Sequence, residues 1–394
     1  VSKIAWLDQL KGVRFTYPIK GAKGKQHLPW FAVALFTAFS FNAIAESPVD
    51  SYKVTTIATG LQSPWSMVQL PGGAWIITER DGHVVLVKGA KQTRLNLDLD
   101  GLYLAGQGGL LDIVLSPQYA QTKEIFFTYA QGELAANRLV IAKAVFDGDK
   151  FSSPTIVYKV ATDKNTPQHY AGRALFLPDG SLLFSSGDGF DFREQAQVLT
   201  SQLGKLLRIN ADGSIPEDNP FENEQNKAAQ AVYSLGHRNT QGLVYDYDSK
   251  MIVSHEHGPA GGDELNYISA GKNYGWPVIT YGKDYSQARI SPFTDYQGME
   301  KPVIDWTPSI APSGMAYYGS VQQQFPALKR HVLITTLVDK KLYAVDLDSK
   351  ALTQTHVFPE VSGRLRDVYI TQDSSIAVLG DGKDATLQLI SADN

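Results

Sequence analysis

The stretch Arg173-Ala174-Leu175-Phe176-Leu177-Pro178-Asp179-Gly180-Ser181-Leu182-Leu183-Phe184-Ser185-Ser186-Gly187-Asp188-Gly189 is an apolar run, a Pro-Asp-Gly turn and a second apolar run that ends in polar residues. Proline fixes one corner and glycine supplies the backbone freedom of a tight reversal. The flanking runs are too short for helices, so the segment reads as a β-hairpin. The pattern recurs as WSMVQLPGGAWIITERDG from Trp65, DIVLSPQYAQTKEIFFTYA from Asp112 and LVYDYDSKMIVSHEHG from Leu243. It returns as MAYYGSVQQQFPALKRHVLITTLVDKKLYAV from Met315 and RDVYITQDSSIAVLGDG from Arg366. Six copies after Ala45 give about 58 residues each, above the ~40 to 50 of common blade repeats, and the excess falls in loops. Repeated hairpins bury both faces by stacking radially or as a sandwich. A sandwich gives no reason for every second run to end in a polar cluster, as at Thr78-Glu79-Arg80, Ser185 to Asp188 and Ser254 to His257. A radial stack does, because those ends meet at one mouth of a central channel. The expected fold is all-β, a six-bladed β-propeller spanning residues 46–394.

Composition narrows the chemistry. The 394 residues are 43% hydrophobic and 19% charged, which is ordinary globular composition. A formal net charge of -4, with no sustained basic block, argues against a nucleic-acid footprint and for a small neutral or anionic ligand. Cysteine is absent, which removes thiol catalysis, zinc-thiolate sites and disulfides, and leaves any redox work to a bound cofactor. Residues 1–45 read as a leader: Lys20, Lys23 and Lys25 precede an apolar run at 30–41, followed by Ala43-Ile44-Ala45. That run is shorter than the roughly twenty residues of a membrane anchor, so the expectation is export, cleavage after Ala45, and a periplasmic or secreted protein with no membrane span in its mature form.

Two loops carry the strongest chemical signal. Gly236-His237-Arg238-Asn239-Thr240-Gln241-Gly242-Leu243 sets a permanent cation, an imidazole and amides between glycines. About twenty residues on, His255 to Glu264 sets glycine and proline carbonyls beside carboxylates, the donor chemistry of a hard cation. His169 precedes the third hairpin and Asp188 ends it. A hairpin brings its end back to its beginning, so Asp188 is placed to fix the tautomer of a His169 base. Arg238 can stabilise developing negative charge without exchanging protons. Arg364 and Arg366, two residues apart on one strand face, suit a polycarboxylate, although a solvated edge pair explains them equally well. Gln107 matters only if its loop faces the same mouth.

These segments together resemble the soluble pyrroloquinoline quinone (PQQ) dependent aldose sugar dehydrogenases of the glucose/sorbosone dehydrogenase family. The resemblance runs through GQGGLLDIVLSP from Gly106, HYAGR from His169, LGKLLRINADGSIPEDNPF from Leu203, GHRNTQGL from Gly236, EHGPAGGDELN from Glu256, GKNYGWP from Gly271 and RLRDV from Arg364. It implies a six-bladed propeller with PQQ over calcium at the channel mouth, an aldose substrate oxidised at C1 to the lactone, and a diffusible electron acceptor. Residue by residue, it implies that His169 is the general base, Asp188 its orienter and Arg238 the group beside the quinone oxygen. Asn239 and Gln107 would bind cofactor or sugar. The carbonyls of Gly258 and Pro259 would hold the catalytic calcium, and Glu264 with the carbonyl of Tyr274 a second, structural one. Tyr285, Thr336, Leu337, Val338, Arg364 and Arg366 fall where the family holds PQQ and its carboxylates. The chain departs from that pattern at Val338, where the family usually has lysine, and at Thr240, where proline is common. Lys340, two residues on, can point the same way. Two rivals are a calcium-dependent lactonase, which needs carboxylate-rich metal ligation, and a non-catalytic binding propeller, which needs no His169.

Overall fold

Each of the six hairpins is the inner half of a four-stranded antiparallel sheet. In this computed structural model, which describes residues 49, 51–349 and 352–393, the innermost strands are Pro64–Gln69, Leu110–Leu115, Ala171–Phe176, Thr240–Asp246, Pro312–Tyr318 and Leu365–Ile370. Each packs against the next and the sixth packs against the first, which closes a ring of six blades around a channel. The leader expected at 1–45, with its apolar run at 30–41, lies outside the described residues. Among the described residues no helix is long and apolar enough to cross a membrane.

The apolar residues form six buried clusters, one in each blade-to-blade interface. Ile76 and Val84 of blade 1 meet Ile113, Phe127 and Val140 of blade 2. Phe126 and Ile141 meet Phe184 and Leu207 across the next interface, and Met67 and Ile77 meet Leu379 and Leu387 where the ring closes. A second strand such as Leu182–Ser186 is therefore buried at every position, and its Leu182, Leu183 and Phe184 form an unbroken apolar run. Burying each such side chain contributes about 1.5 to 3 kcal/mol.

Closure is by the first strand among the described residues. Blade 6 takes its outer strand from Tyr52–Leu61, which pairs antiparallel with Ala385–Ala392. This joins the two ends of the ring within one sheet.

Every innermost strand breaks register with its neighbour near the mouth. The breaks fall at Pro64/Met67, Leu110/Ile113, Ala171/Ala174, Thr240/Gly242, Pro312/Met315 and Leu365/Asp367. The residues skipped by the pairing include Ser66, Asp112, Arg173, Gln241, Ser313 and Arg366, one from each blade. A bulge turns a side chain out of the pleat, here toward the axis, and so furnishes the channel with polar groups.

Candidate active site

The polar ends do converge. His169 is buried, and its Nδ1 lies 2.7 Å from Asp188 Oδ1. That carboxylate also accepts the Trp276 Nε1–H at 2.8 Å and the Phe190 backbone N–H at 2.8 Å. A carboxylate only accepts, so Nδ1 carries the proton and Nε2, which has no protein partner among the described residues, keeps its lone pair. Burial pushes the His169 imidazole below its usual pKa. The Asp188 hydrogen bond opposes this, and the charges of Arg238 and Lys164 add to it. Burial works to raise Asp188, but the bond and charge of His169 and the charge of Arg238 win and hold it below the usual carboxylate range.

The local backbone is strained to deliver this geometry. His169, Ala171 and Phe190 have φ of 49°, 55° and 71°, a region that disfavours side chains. Gly187 has no latitude either, because a Cβ there would sit 2.2 Å from the His169 carbonyl oxygen. The His169 backbone N–H donates to Gln107 Oε1 at 2.8 Å, and the Ala171 N–H donates to Asn239 Oδ1 at 3.1 Å. Gln107 thus lies against the His169 segment and lines a cleft at this mouth.

Arg238 is buried with its guanidinium over the Trp276 ring, 5.3 Å from the centroid. Its Nη1 donates to Gly258 O at 2.5 Å and His257 O at 3.1 Å, and its Nη2 lies 3.5 Å from the Tyr285 hydroxyl. Glu256, not singled out from the sequence, holds this loop. It accepts the Arg238 and Asn239 N–H groups at 2.5 and 3.2 Å and pairs with His237 Nδ1 at 3.2 Å.

Two clefts flank the His169 and Asp188 pair. One of about 220 Å³ is walled by Arg80, Gln107, Asn239, Gln241, His257, Leu337, Arg364 and Arg366. The other, about 140 Å³, is walled by Phe190, Arg193, Arg238, Pro259, Trp276, Asp284 and Tyr285. Phe190 stacks on Tyr285 at 6.3 Å and meets the His169 ring edge-on at 5.1 Å. A further cavity, about 530 Å³, is lined by Leu175, Tyr245, Asp248, Tyr317 and Ile370 at the other end of the channel. Its one carboxylate, Asp248, is already bound by Tyr317 and Ser320, so the chemistry belongs to the smaller clefts.

The remaining expected residues divide. Leu337 lines the larger cleft, whereas Val338 is 60% exposed, and the Thr336 hydroxyl is engaged by the Lys341 backbone. Arg364 and Arg366 line the same cleft and share one internal carboxylate, Asp381, at 2.8 and 2.7 Å, which leaves the pair one net positive charge. The Tyr274 side chain is turned away, stacked on His237 and donating to Tyr267 O. Also unassigned from the sequence was Lys164, which lies over the Tyr170 ring at 3.4 Å and donates to Asn137 and Thr166, its pKa lowered by burial to about 7. Its signal, a lysine five residues before His169, looks like any loop cation.

The donor groups fit a hard cation and a polyanionic cofactor. Glu264 is buried with one hydrogen bond, from Asn266, and burial with the neighbouring Glu256, Asp305 and Asp263 raises its carboxyl well above the usual range. Beside it Asn266 Oδ1 and Ser254 Oγ are buried without partners. A carboxyl crowded by other acids, beside orphaned oxygens, is what a bound cation satisfies. Among the described residues no three His, Cys, Asp or Glu side chains cluster as a metal cage, so carbonyls must supply much of any coordination.

Comparison with known proteins agrees with this geometry. The Glucose / Sorbosone dehydrogenase family model matches residues 61–389. The uncharacterized protein slr1608 of Synechocystis is 39% identical over 363 residues, covering 87% of each chain. Aldose sugar dehydrogenase YliI of Escherichia coli is 33% identical over 351 residues, covering 86% of this chain and 93% of its own. The PQQ-bound aldose sugar dehydrogenase of Streptomyces coelicolor superposes with a TM-score of 0.72 at 28% identity, over 88% of this chain and 100% of its own. With one family spanning the ring from its closing strand to its last blade, and with the motif residues gathered at one mouth, this chain belongs to the glucose/sorbosone dehydrogenase family.

Proposed function

We propose that the protein oxidises aldoses at C1 to lactones with PQQ and calcium, and passes the electrons to a diffusible acceptor. The observation that carries this reading is the His169 and Asp188 pair, buried yet with Nε2 free, between an arginine-lined cleft and an aromatic one. When bound, PQQ supplies the acceptor for the hydride and calcium the Lewis acid that polarises it. His169 Nε2 takes the proton of the C1 hydroxyl as the sugar gives up its C1 hydrogen with the electron pair, so that two electrons and two protons leave the ring. Asp188 holds the imidazole in the accepting tautomer and stabilises it once protonated. Arg238, over Trp276, sets a fixed positive charge where negative charge develops. Gln107 and Asn239 hold the His169 segment through its N–H groups, and Phe190 with Tyr285 offers apolar faces to a sugar ring. Gly258 and Pro259 would hold the catalytic calcium through their carbonyls, and Glu264 and the Tyr274 carbonyl the structural one. Arg364 and Arg366 would take cofactor carboxylates. A hydrolase has no use for the arginine-lined cleft.

Reconstitution tests the reading. Apo protein with PQQ and calcium is expected to reduce a dye only when an aldose is present, and to lose PQQ on chelation. A titration with no calcium-dependent absorbance change would end the proposal. We also infer export, from the lysines and the apolar run before Ala45. The expected result is mature protein beginning at Glu46 on N-terminal sequencing, and an intact leader on cytoplasmic protein would refute it.

A further inference from the structure

The larger cleft holds more positive charge than the sequence assigned to it. Arg80, the last residue of the polar end Thr78-Glu79-Arg80, lines it with Arg364 and Arg366. Its neighbour Glu79 does not neutralise it, because that fully buried carboxylate is gripped by Arg94 at 2.6 and 2.7 Å and by the Gln62 N–H at 2.6 Å. The Asp381 carboxylate, whose charge also acts on Arg80, is shared by Arg364 and Arg366. Three permanent cations thus face one anion, an excess of two charges in a cleft whose other lining residues, among them the amides Gln107, Asn239 and Gln241 and the imidazole of His257, include no carboxylate. Like charges so placed repel, and burial together with Arg366 lowers the Arg80 pKa while Asp381 opposes.

Arg80 is also held firmly. Its Nε donates to Gly108 O at 3.2 Å and its Nη2 to Gly106 O at 2.5 Å and Gly108 O at 2.7 Å. The Leu110 N–H returns to Arg80 O at 2.9 Å, and a Cβ on Gly109 would meet that oxygen at 2.2 Å. Nη1 has no protein partner among the described residues. The guanidinium therefore does two things: one edge fixes the loop that presents Gln107 to His169, and the remaining nitrogen stays available to an anion.

We propose that Arg80 is the third cation of the cleft, binding one carboxylate of a rigid tricarboxylate while Arg364 and Arg366 take the others. This rests on the PQQ reading above, since that cofactor carries three carboxylates on a planar ring system, and it identifies a group that answers the cation lacking at Val338. The test is calorimetric binding to wild type, Arg80→Met and Arg80→Lys of three probes: PQQ with calcium, benzene-1,3,5-tricarboxylate and benzene-1,3-dicarboxylate. Arg80→Met is expected to weaken PQQ and the tricarboxylate by about 10- to 100-fold and the dicarboxylate by less than about threefold, with Arg80→Lys recovering part of the tricarboxylate affinity. Wild-type affinity for the tricarboxylate in Arg80→Met overturns the proposal. So does an equal loss for all three probes, which marks a purely structural role through the Gln107 loop. If wild type binds neither PQQ nor the tricarboxylate, the cofactor reading itself falls, whereas PQQ binding that is indifferent to Arg80→Met removes only the role given to Arg80.

Discussion

An enzyme carrying His169→Gln is expected to bind PQQ within about threefold of wild type while its kcat falls by about 10² to 10⁴, the range for a positioned proton acceptor. Glutamine keeps the volume and a donor toward Asp188, so the cleft survives and the basic nitrogen does not. Asp188→Asn acts through the ring: an amide that donates where the carboxylate accepted favours the wrong tautomer, and it also disturbs the Trp276 and Phe190 contacts. Its loss of rate is expected to come with a changed pH dependence, which a merely looser pocket would not produce. The sign for wild type follows from burial. A histidine whose pKa is lowered stays neutral, and so competent as a base, to below its ordinary 6.5. The acid limb of kcat/KM should therefore fall below that value, and the stability that goes with the lowered pKa is present above the unfolded value and lost as pH drops through the folded one. A His169→Gln enzyme that turned over at the wild-type rate, with PQQ and calcium saturating, would remove the base from the mechanism.

What the sequence made legible is what local pattern encodes. All six quoted hairpins are the inner strands of the six blades, because a strand buried on both faces must be apolar and its turn must carry Pro, Asp or Gly. The outermost strands did not stand out. Thr155–Lys159, Ile304–Trp306 and Gln354–Val357 are short and only partly buried, so nothing imposes alternation on them. Ring closure was hidden for another reason: Tyr52–Leu61 finds its partner more than three hundred residues away, and no local signal carries that pairing. The site divides the same way. His169 and Asp188 were readable because one hairpin joins them. Trp276, which completes the Asp188 contacts, comes from a loop of another blade, and Asp381, which takes up Arg364 and Arg366, looks like ordinary turn chemistry in Gly380-Asp381-Gly382.

Arg173→Met is expected to lower the free energy of unfolding by about 3 to 5 kcal/mol, the cost of leaving buried charge without its partner. The residue sits on the innermost strand of blade 3, and its guanidinium reaches every other blade. It touches Ser66 Oγ at 3.5 Å in blade 1, Asp112 at 3.1 Å in blade 2 and Gln241 O at 2.9 Å in blade 4. Ser313 O at 3.2 Å and Asp367 at 3.2 Å extend the set to blades 5 and 6, and Trp65 lies under the ion at 4.3 Å. One planar fork with five donors thus ties all six inner strands at the axis, which an apolar side chain cannot do. Methionine fills part of the volume but strands Asp112 and Asp367. Burial already pushes Asp367 up to about 6 even with Arg173 beside it. A carboxyl raised in the folded state is worst as an anion, so its penalty is full above the folded pKa and fades as pH falls toward the unfolded value. Removing the cation raises it further. The loss in Arg173→Met, read from denaturant midpoints, should therefore be larger at pH 8 than at pH 5, and Asp112→Asn with Asp367→Asn in the same chain should recover part of it. A loss independent of pH, unchanged by the two asparagines, would mean that the guanidinium acts through packing on Trp65 and the backbone carbonyls rather than by neutralising the two acids.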